Sequence, residues 1–353
     1  MLEQNQMTPK DTINECFYKI KSRGPDNSTM ICLPYSSGGY IHIGFHRLAI
    51  NGTSIHSQQP FVKKGVYLIC NGEIYNYKSL IVKYDLHDSL KDVETGSDCE
   101  VLLHLYLKIG FLPMIDAIDG VFSVIVYDSN KGKIFSSRDI YGVRPMFYTF
   151  SKNIFAIASE AKALVGLKHK VYPIYPRNYL QYNIGEEKLY IDNWYTIYRH
   201  GNNMTDIHKN IRELFTEAVQ KRLMTSDRNR IGCLLSGGLD SSIVAAIAAQ
   251  HIPNLRTFTI GFEGSPDIFW AEKVAKHIGS DHTTVYVTKD EALGSIKDVI
   301  YTIESYDITT IRASVWQYLI GRYIHERTDI NMVLNGDGAD ELMQGYIYFN
   351  DAP

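Results

Sequence analysis

The residues best suited to chemistry form a short polar stretch at positions 236–242, with the sequence SGGLDSS. An apolar run at 231–235 precedes it and an Ala/Ile/Val run follows, which predicts a buried strand, a glycine turn and a helix start. Backbone N–H groups gather at the positive end of such a helix and bind anions. The glycines allow a phosphate to approach the backbone, and the serine hydroxyls add donors. An ordinary capped helix start is the alternative.

Four carboxylates accompany this stretch. Asp240 lies inside it and would repel a bare phosphate, which suggests a bridging Mg²⁺. Asp337, Asp340 and Glu341 follow an apolar run within residues 332–342. Neighbouring carboxylates repel one another unless a cation lies among them. We therefore expect Asp240, Asp340 and Glu341 to bind Mg²⁺; a solvated acidic turn is the alternative. The spacing is not that of a P-loop.

The string SGGLDSS resembles the pyrophosphate loop of ATP pyrophosphatases. With the stretch ESYDITTIRAS at 304–314, it resembles the synthetase domain of glutamine-dependent asparagine synthetases. The resemblance implies that Thr310 and Arg312 contact aspartate or phosphate, although a capped helix start at Thr309 and Thr310 is equally open. It also implies that Asp337, where the family usually has glutamate, assists the attack of ammonia. The implied ATP-binding residues are Leu234, Ser236, Gly237, Gly238, Leu239, Asp240, Ser241, Ser242, Ile260, Asn335 and Gly336. For Leu234 and Ile260, core packing is the alternative.

A second set of motifs precedes this half: RGPD at 23–26, Arg47-Leu48, NGE at 71–73, GSD at 96–98, and Arg138-Asp139. In this order they resemble the glutaminase domain of N-terminal-nucleophile amidotransferases. The resemblance implies an oxyanion hole made by Asn71 and Gly72. It implies the following glutamine-binding residues: Arg47 on the α-carboxylate, Asp98 on the α-ammonium, with Leu48, Ala49, Ile50, Asn51, Asn71, Gly72 and Glu73. Taken singly, Arg47 could form a surface ion pair, Asn71-Gly72 a hairpin turn, and Asp98 a helix N-cap.

The nucleophile of that family is a cysteine at residue 1, opening a strand. Here Met1 is followed by Leu2. We expect the opening strand to be missing and a helix over 11–22 to begin almost at once. Cys16 lies in that helix and is interpreted as a structural thiol. These 353 residues should then not hydrolyse glutamine; a misassigned start codon is the alternative origin of this difference.

The remaining pattern predicts the elements that position both sets of residues. Short alternating strands dominate to about residue 190, and the resemblance implies an α/β/β/α sandwich there. A helix over 207–224 should turn Ile211, Leu214, Phe215, Ala218 and Leu223 inward. Strand–helix–strand repetition after it predicts a doubly wound parallel sheet with ligands at the carboxyl ends of its strands. We expect a glutaminase-like domain at 1–185, a linker at 186–206 and a partial synthetase domain at 207–353.

Composition limits the classes of function. The chain is 45% hydrophobic, 21% charged and carries a net charge of −3, so no bulk positive charge suggests nucleic acid. The five cysteines have no metal-ligand spacing, which indicates reduced thiols in a cytoplasmic setting. No signal peptide or membrane-spanning run is evident.

The resemblance implies an ATP- and Mg²⁺-dependent ligase that makes asparagine from aspartate and glutamine or ammonia. Family members continue beyond residue 353, so the implied partners beside these small molecules are a second copy or a completing C-terminal polypeptide. A non-catalytic remnant, or a module that binds glutamine or nucleotide, is the alternative function.

Overall fold

The computed structural model describes residues 2–4 (backbone), 10–35, 38–87, 95–196, 206–224, 227–347 and 349. The chain divides into two compact units, Met1–Asn202 and Asn203–Pro353. Within the described ranges, every helix is too short or too polar to cross a bilayer.

The first unit is built mainly from antiparallel strands. Its described strands are β1 (Leu2–Gln4), β2 (Asn27–Tyr35), β3 (Gly39–Arg47), β4 (Phe61–Lys63), β5 (Val66–Ile74), β6 (Gly120–Asp128), β7 (Lys133–Arg138), β8 (Phe147–Ser151), β9 (Ile154–Ala158), β10 (Val171–Pro173), β11 (Asn178–Asn183) and β12 (Lys188–Asn193). They form two sheets, with the orders β10-β8-β9-β1-β3-β2 and β12-β11-β7-β6-β5-β4. The predicted hairpin of β6 and β7 is present, and its turn contains Gly132 at φ +61°.

The helices of this unit cover the outer faces of the two sheets. They are α1 (Lys10–Tyr18), α2 (Tyr77–Lys83), α3 (Val101–Ile109), α4 (Phe111–Asp116) and α5 (Lys162–Val165). Leu102 and Met114 are fully buried against the second sheet, and Cys16 and Leu164 pack on the first. Between the sheets, Phe155 of β9 stacks on Tyr182 of β11, with ring centroids 4.4 Å apart. The four-layer α/β/β/α sandwich predicted above is therefore confirmed.

The start of the chain differs from the expectation. A strand is present, because Leu2–Gln4 pairs with β3 on one side and with β9 on the other. It is only three residues long and contains no cysteine. Helix α1 then ends at Tyr18, earlier than predicted, and Cys16 is buried in it. Burial raises the pKa of the Cys16 thiol, which agrees with the structural role predicted for it.

The second unit contains a parallel sheet. Its strands are β13 (Ile231–Leu234), β14 (Arg256–Gly261), β15 (Asp281–Tyr286) and β16 (Met332–Leu334), in the order β15-β14-β13-β16. Its described helices are α6 (Ile207–Arg222), α7 (Leu239–Ala249), α8 (Pro266–Ile278), α9 (Lys289–Gly294), α10 (Ile296–Ile303), α11 (Ile308–Arg327) and α12 (Ala339–Met343). The predicted strand–helix–strand repetition and parallel sheet are confirmed.

Two local predictions differ from the structure. In α6, Ile211 and Leu214 are 44% and 62% exposed, whereas Val219 and Leu223 are buried. From Phe215 onward α6 packs against α7 and the sheet, whereas among the described residues no core cluster includes Ile211 or Leu214. Strand β12 occupies part of the range predicted as linker, because residues 188–193 pair along their full length with β11. Residues 197–205 of that range lie outside the described residues.

Candidate active sites

The loop between β13 and α7 has a backbone that only glycine can adopt at one position. Gly237 has φ +80°, and a Cβ there would lie 2.5 Å from the backbone nitrogen of Ala271. The loop therefore lies directly on α8 and turns sharply into α7. Gly238 is the N-cap residue, with no side chain covering the first N–H groups of the helix. These groups are consequently available to an anion.

Serine side chains organise this loop from within. Ser236 N–H donates to Ser241 Oγ (3.2 Å), the two hydroxyl oxygens are 3.0 Å apart, and Ser242 Oγ donates to the Gly238 carbonyl (2.6 Å). Ser236 is exposed. The loop is thus preformed. A phosphate could accept hydrogen bonds from the N–H and O–H groups that now donate within the loop.

A cavity of about 700 Å³ opens beside this loop, at the carboxyl ends of the parallel strands. Its lining brings together residues of β13 and β14 and of the loops that follow β13, β14 and β16. The predicted residues found there are Leu234, Ser236, Asp240, Ser241, Ile260, Asn335, Gly336, Asp337, Asp340 and Glu341. The other predicted loop residues, Gly237, Gly238, Leu239 and Ser242, support the loop without lining the cavity.

Asp337 is held by two amide side chains. Gln317 Nε2 and Asn335 Nδ2 each donate to Asp337 Oδ2 at 2.8 Å. Both donors act on one carboxylate oxygen of a residue that lines the cavity. This arrangement can position a proton acceptor.

The acidic residues around Asp240 influence one another. Partial desolvation, with the charges of Asp340 and Glu341, raises the pKa of Asp240. Tyr346 Oη donates to Glu341 Oε1 at 2.6 Å, and this bond lowers the pKa of Glu341. Among the described residues, no three His, Cys, Asp or Glu side chains are close enough to hold a metal ion by themselves. The protein alone does not form a closed cation cage here.

Thr310 and Arg312 are not brought to the cavity. Asp307 is the N-cap of α11, and its Oδ2 accepts hydrogen bonds from Thr310 N–H (2.7 Å) and Thr310 Oγ1 (2.8 Å). The capped helix start, one of the two alternatives above, describes this geometry.

Sequence reasoning missed the residues that α11 supplies. Ala313, Trp316, Gln317 and Ile320 line the cavity. Trp316 contacts Phe262 edge to face, with centroids 5.1 Å apart. The three- and four-residue intervals between these positions place their side chains on one face of α11. This periodicity was the sequence signal from which they could have been predicted.

The first unit contains a second polar cavity of about 250 Å³. The predicted residues that line it are Arg47, Leu48, Ile50, Asn51, Asn71, Gly72, Glu73 and Asp98. Ala49 is not among them, because its N–H donates to Asp26 Oδ2 (2.7 Å) and fixes the loop after β3.

Arg47 is buried and held by backbone carbonyls. Its Nη1 donates to the Ser54 carbonyl at 2.9 Å and its Nη2 to the Gly52 carbonyl. Burial lowers the pKa of Arg47, although it stays protonated. The remaining guanidinium N–H groups can bind a carboxylate.

Two further polar groups in this cavity are buried. Ile74 N–H donates to Asp98 Oδ2 at 2.6 Å, and burial raises the pKa of Asp98. The side-chain nitrogen of Asn71 is buried and has no hydrogen-bond partner in the described structure. An unpaired buried donor is costly, so Asn71 is suited to bind an oxygen atom of a ligand.

Two cysteines, Cys70 and Cys99, line the same cavity. A hydrogen bond with Cys70, together with full burial, raises the pKa of Cys99. The thiolate is the nucleophilic form, and the raised pKa disfavours it at Cys99.

Arg144 also lines the cavity and was not predicted. It follows Asp139, whose carboxylate accepts hydrogen bonds from the backbone N–H groups of Phe122, Tyr141, Val143 and Arg144 at 2.9–3.3 Å. The Arg138-Asp139 motif therefore folds a loop that positions Arg144. The position of Arg144 between Gly142 and Pro145 was the only feature of the sequence that could have indicated its place in the cavity.

Comparison with known proteins agrees with this division. Residues 2–214 match the family model for the glutamine amidotransferase domain, and residues 210–353 match that for asparagine synthase. The glutamine-hydrolysing asparagine synthetases of Cricetulus griseus and Homo sapiens are 42% and 41% identical to this chain over 95% of its length. The chain spans 64% of the length of these relatives.

Among solved structures, the glutamine phosphoribosylpyrophosphate amidotransferase from B. subtilis, complexed with ADP and GMP, covers 84% of this chain and 91% of its own. Its TM-score is 0.47 and its sequence identity 15%. The family model for the glutamine amidotransferase domain covers more than half of this chain. The chain therefore belongs to the glutamine amidotransferase domain family, and its residues 210–353 form an asparagine synthase domain.

Proposed function

We propose that the second unit performs the chemistry named for its curated relatives, the ATP-dependent synthesis of asparagine. The side-chain carboxylate of aspartate attacks the α-phosphate of ATP, which gives β-aspartyl-AMP and releases pyrophosphate. Ammonia then attacks the activated carbonyl and displaces AMP. The observation that carries this proposal is the cavity in which the SGGLDSS loop, Asn335-Gly336 and four carboxylates converge.

In this proposal the nucleotide lies across the carboxyl ends of the strands. Leu234 and Ile260 pack against the adenine, and Asn335-Gly336 contacts the nucleotide. The first turn of α7 and the Ser236 and Ser241 hydroxyls bind the phosphates. The first turn of α7 has no side-chain cap, which supports this assignment, because an anion is favoured at a helix start.

Asp337 assists the second step. A positioned carboxylate can accept the proton that ammonia loses on attacking the carbonyl. Aspartate is one methylene shorter than the glutamate that the family usually has here. The two hydrogen bonds at Asp337 Oδ2 restrict the movement of the side chain, and this fixed orientation compensates in part for the shorter side chain. The predicted contacts of Thr310 and Arg312 with aspartate or phosphate stay a prediction.

Mg²⁺ is proposed to accompany ATP, with Asp240, Asp340 and Glu341 as its protein ligands. The raised pKa of Asp240 beside Asp340 and Glu341 fits a cation, because a positive charge would relieve this repulsion. The open acidic group also fits Mg²⁺, which usually takes one or two carboxylates and completes its octahedron with phosphate oxygens and water. When bound, Mg²⁺ neutralises phosphate charge.

The first unit is proposed to bind glutamine. Arg47 would pair with the α-carboxylate, and Asp98 with the α-ammonium. Asn71 and Gly72 would form the oxyanion hole. This part of the proposal rests on the buried charges and the unpaired Asn71 amide.

The five cysteines are free, which supports the predicted reducing, cytoplasmic setting. A homodimer and a completing C-terminal polypeptide stay the two predicted partners. Mass measurement of the purified chain by light scattering separates a monomer from a dimer. Copurification with a tagged chain tests for the polypeptide.

The test is pyrophosphate release by the purified chain with Mg-ATP, aspartate and ammonium. Asp240→Asn should remove most of the release, while the matched control Asp290→Asn, in the exposed first turn of α9, should not. ATP binding without pyrophosphate release at high enzyme concentration would reject synthesis by these residues. It would favour the non-catalytic, nucleotide-binding alternative.

A further inference from the structure

Asp337 is joined by a hydrogen bond to a helix that is distant from it in the chain. Gln317 of α11 donates from Nε2 to Asp337 Oδ2 at 2.8 Å, across 20 positions of sequence. Asn335 donates to the same oxygen at 2.8 Å but lies only two positions away. The Asn335 bond therefore joins groups of one loop, whereas the Gln317 bond fixes Asp337 relative to another element.

Buried apolar side chains hold α11 in place. Val315 and Leu319 pack in one core cluster, and Ile320 and Ile324 pack in another, which also contains a residue of β14. Close packing of this kind leaves a helix little freedom to shift. Gln317 lies on the part of α11 that lines the 700 Å³ cavity, so its amide donates from a fixed backbone.

The loop that carries Asp337 is anchored on one side of that residue and open on the other. Leu334 at the end of β16 is buried, and a Cβ at Gly336 would lie 2.7 Å from Ser241 N. In contrast, Gly338 has φ +94°, and a Cβ there would meet no heavy atom within 4 Å. The side chain of Asp337 therefore needs a contact outside its own loop to keep one orientation.

The donor is uncharged, and this matters in an acidic cavity. Asp337 shares the cavity with Asp240, Asp340 and Glu341. A lysine or arginine in place of Gln317 would form an ion pair with Asp337 and make it a weaker proton acceptor. A neutral amide stabilises a carboxylate less than a cation does. Gln317 thus orients the carboxylate and leaves it able to accept a proton.

We propose that Gln317 is a positioning residue for the ammonia step, an inference that rests on the function proposed above. Gln317 holds the Asp337 carboxylate where it accepts the proton that ammonia loses as its nitrogen bonds to the activated carbonyl carbon. The bond from this carbon to the phosphate oxygen then breaks, and AMP leaves with the electron pair. Misplacement of a reacting group by about 1 Å can cost about 100-fold in rate. Without Gln317, ammonia attack slows and water takes a larger share of the intermediate.

Two variants of Gln317 separate the ammonia step from the formation of β-aspartyl-AMP. Gln317→Met keeps the length of the side chain and removes the donor, and Gln317→Glu keeps its shape and adds a negative charge. Because Gln317 is exposed, both variants should fold, which urea denaturation checks.

The assay contains Mg-ATP, aspartate and ammonium. Because Asn335 still holds Asp337, Gln317→Met should lower kcat for asparagine about tenfold, and Gln317→Glu at least as much. The KM for ammonium should change less than about twofold, and pyrophosphate release in a single turnover should stay within about threefold. The control Gln220→Met, which removes an exposed hydrogen bond between α6 and His251, should behave as the parent does.

A double variant distinguishes positioning from a general structural effect. In an Asp337→Asn chain, Gln317→Met should lower asparagine formation less than about twofold further, because the two residues act as one unit. The full loss in both backgrounds would overturn the proposal. Parental asparagine formation by Gln317→Met, or an equal loss of asparagine and pyrophosphate, would also overturn it. A parent chain that forms no asparagine would instead reject the proposed function, and this role with it.

Discussion

Replacing Gly336 by alanine should loosen the contact between the loop after β16 and the first turn of α7. A Cβ at Gly336 would lie 2.7 Å from Ser241 N and 2.9 Å from Asp240 C. Both are backbone atoms of the loop and helix start proposed to bind phosphate. Ordinary contact begins at 3.4 Å, so the two segments must separate by about 0.7 Å.

Overpacking of this kind costs about 1–3 kcal/mol. If the cost falls on the nucleotide-bound geometry, the Kd for Mg-ATP should rise about 5- to 140-fold. If it falls on the unliganded fold, the free energy of unfolding should decrease by a similar amount. Calorimetric titration with Mg-ATP and urea denaturation together capture both contributions.

Gly321→Ala is the matched control. Gly321 lies inside α11, and a Cβ there would meet no heavy atom within 4 Å beyond the backbone of its own helix. Alanine should stabilise the helix by about 1 kcal/mol and leave nucleotide affinity unchanged. A Gly336→Ala chain with parental affinity and parental unfolding free energy would refute the assignment of this contact.

Three further outcomes are expected. Gly72→Ala would place a Cβ 2.1 Å from the Val121 carbonyl oxygen and should lower the unfolding free energy of the first unit by more than about 2 kcal/mol, measured by urea denaturation. Gly185→Ala, whose nearest atom is 4.0 Å away, should not. Burial raises the folded pKa of Asp98, so its contribution to stability is complete below about pH 4 and decreases as pH rises through the raised pKa. In urea titrations, Asp98→Asn should remove this decrease; an unchanged difference between the two proteins across pH 4–7 would contradict it. Asp337→Asn should lower asparagine formation from ammonia by about 100-fold or more and leave pyrophosphate release within about threefold; equal loss of both would reject its role in the second step.

Local sequence was sufficient for the elements and for the strand, turn and helix start around SGGLDSS. The strands β5, β6 and β7, the hairpin turn at Gly132 and the parallel order of β13 and β14 follow from period and turn residues. The SGGLDSS stretch acts within one strand–turn–helix unit, so its hydrogen bonds, such as Ser236 to Ser241, join residues only five apart.

Contacts between distant segments were decided by the tertiary structure. Gln317 reaches Asp337 from α11, and Arg144 reaches the 250 Å³ cavity through a loop folded on Asp139. The exposure of Ile211 and the pairing of β12 depend on which neighbours are within reach. A periodic pattern specifies which face of an element is apolar, but the partner of that face is set by packing among elements far apart in the chain. The short β1 is of this kind, since three residues acquire their place only between β3 and β9.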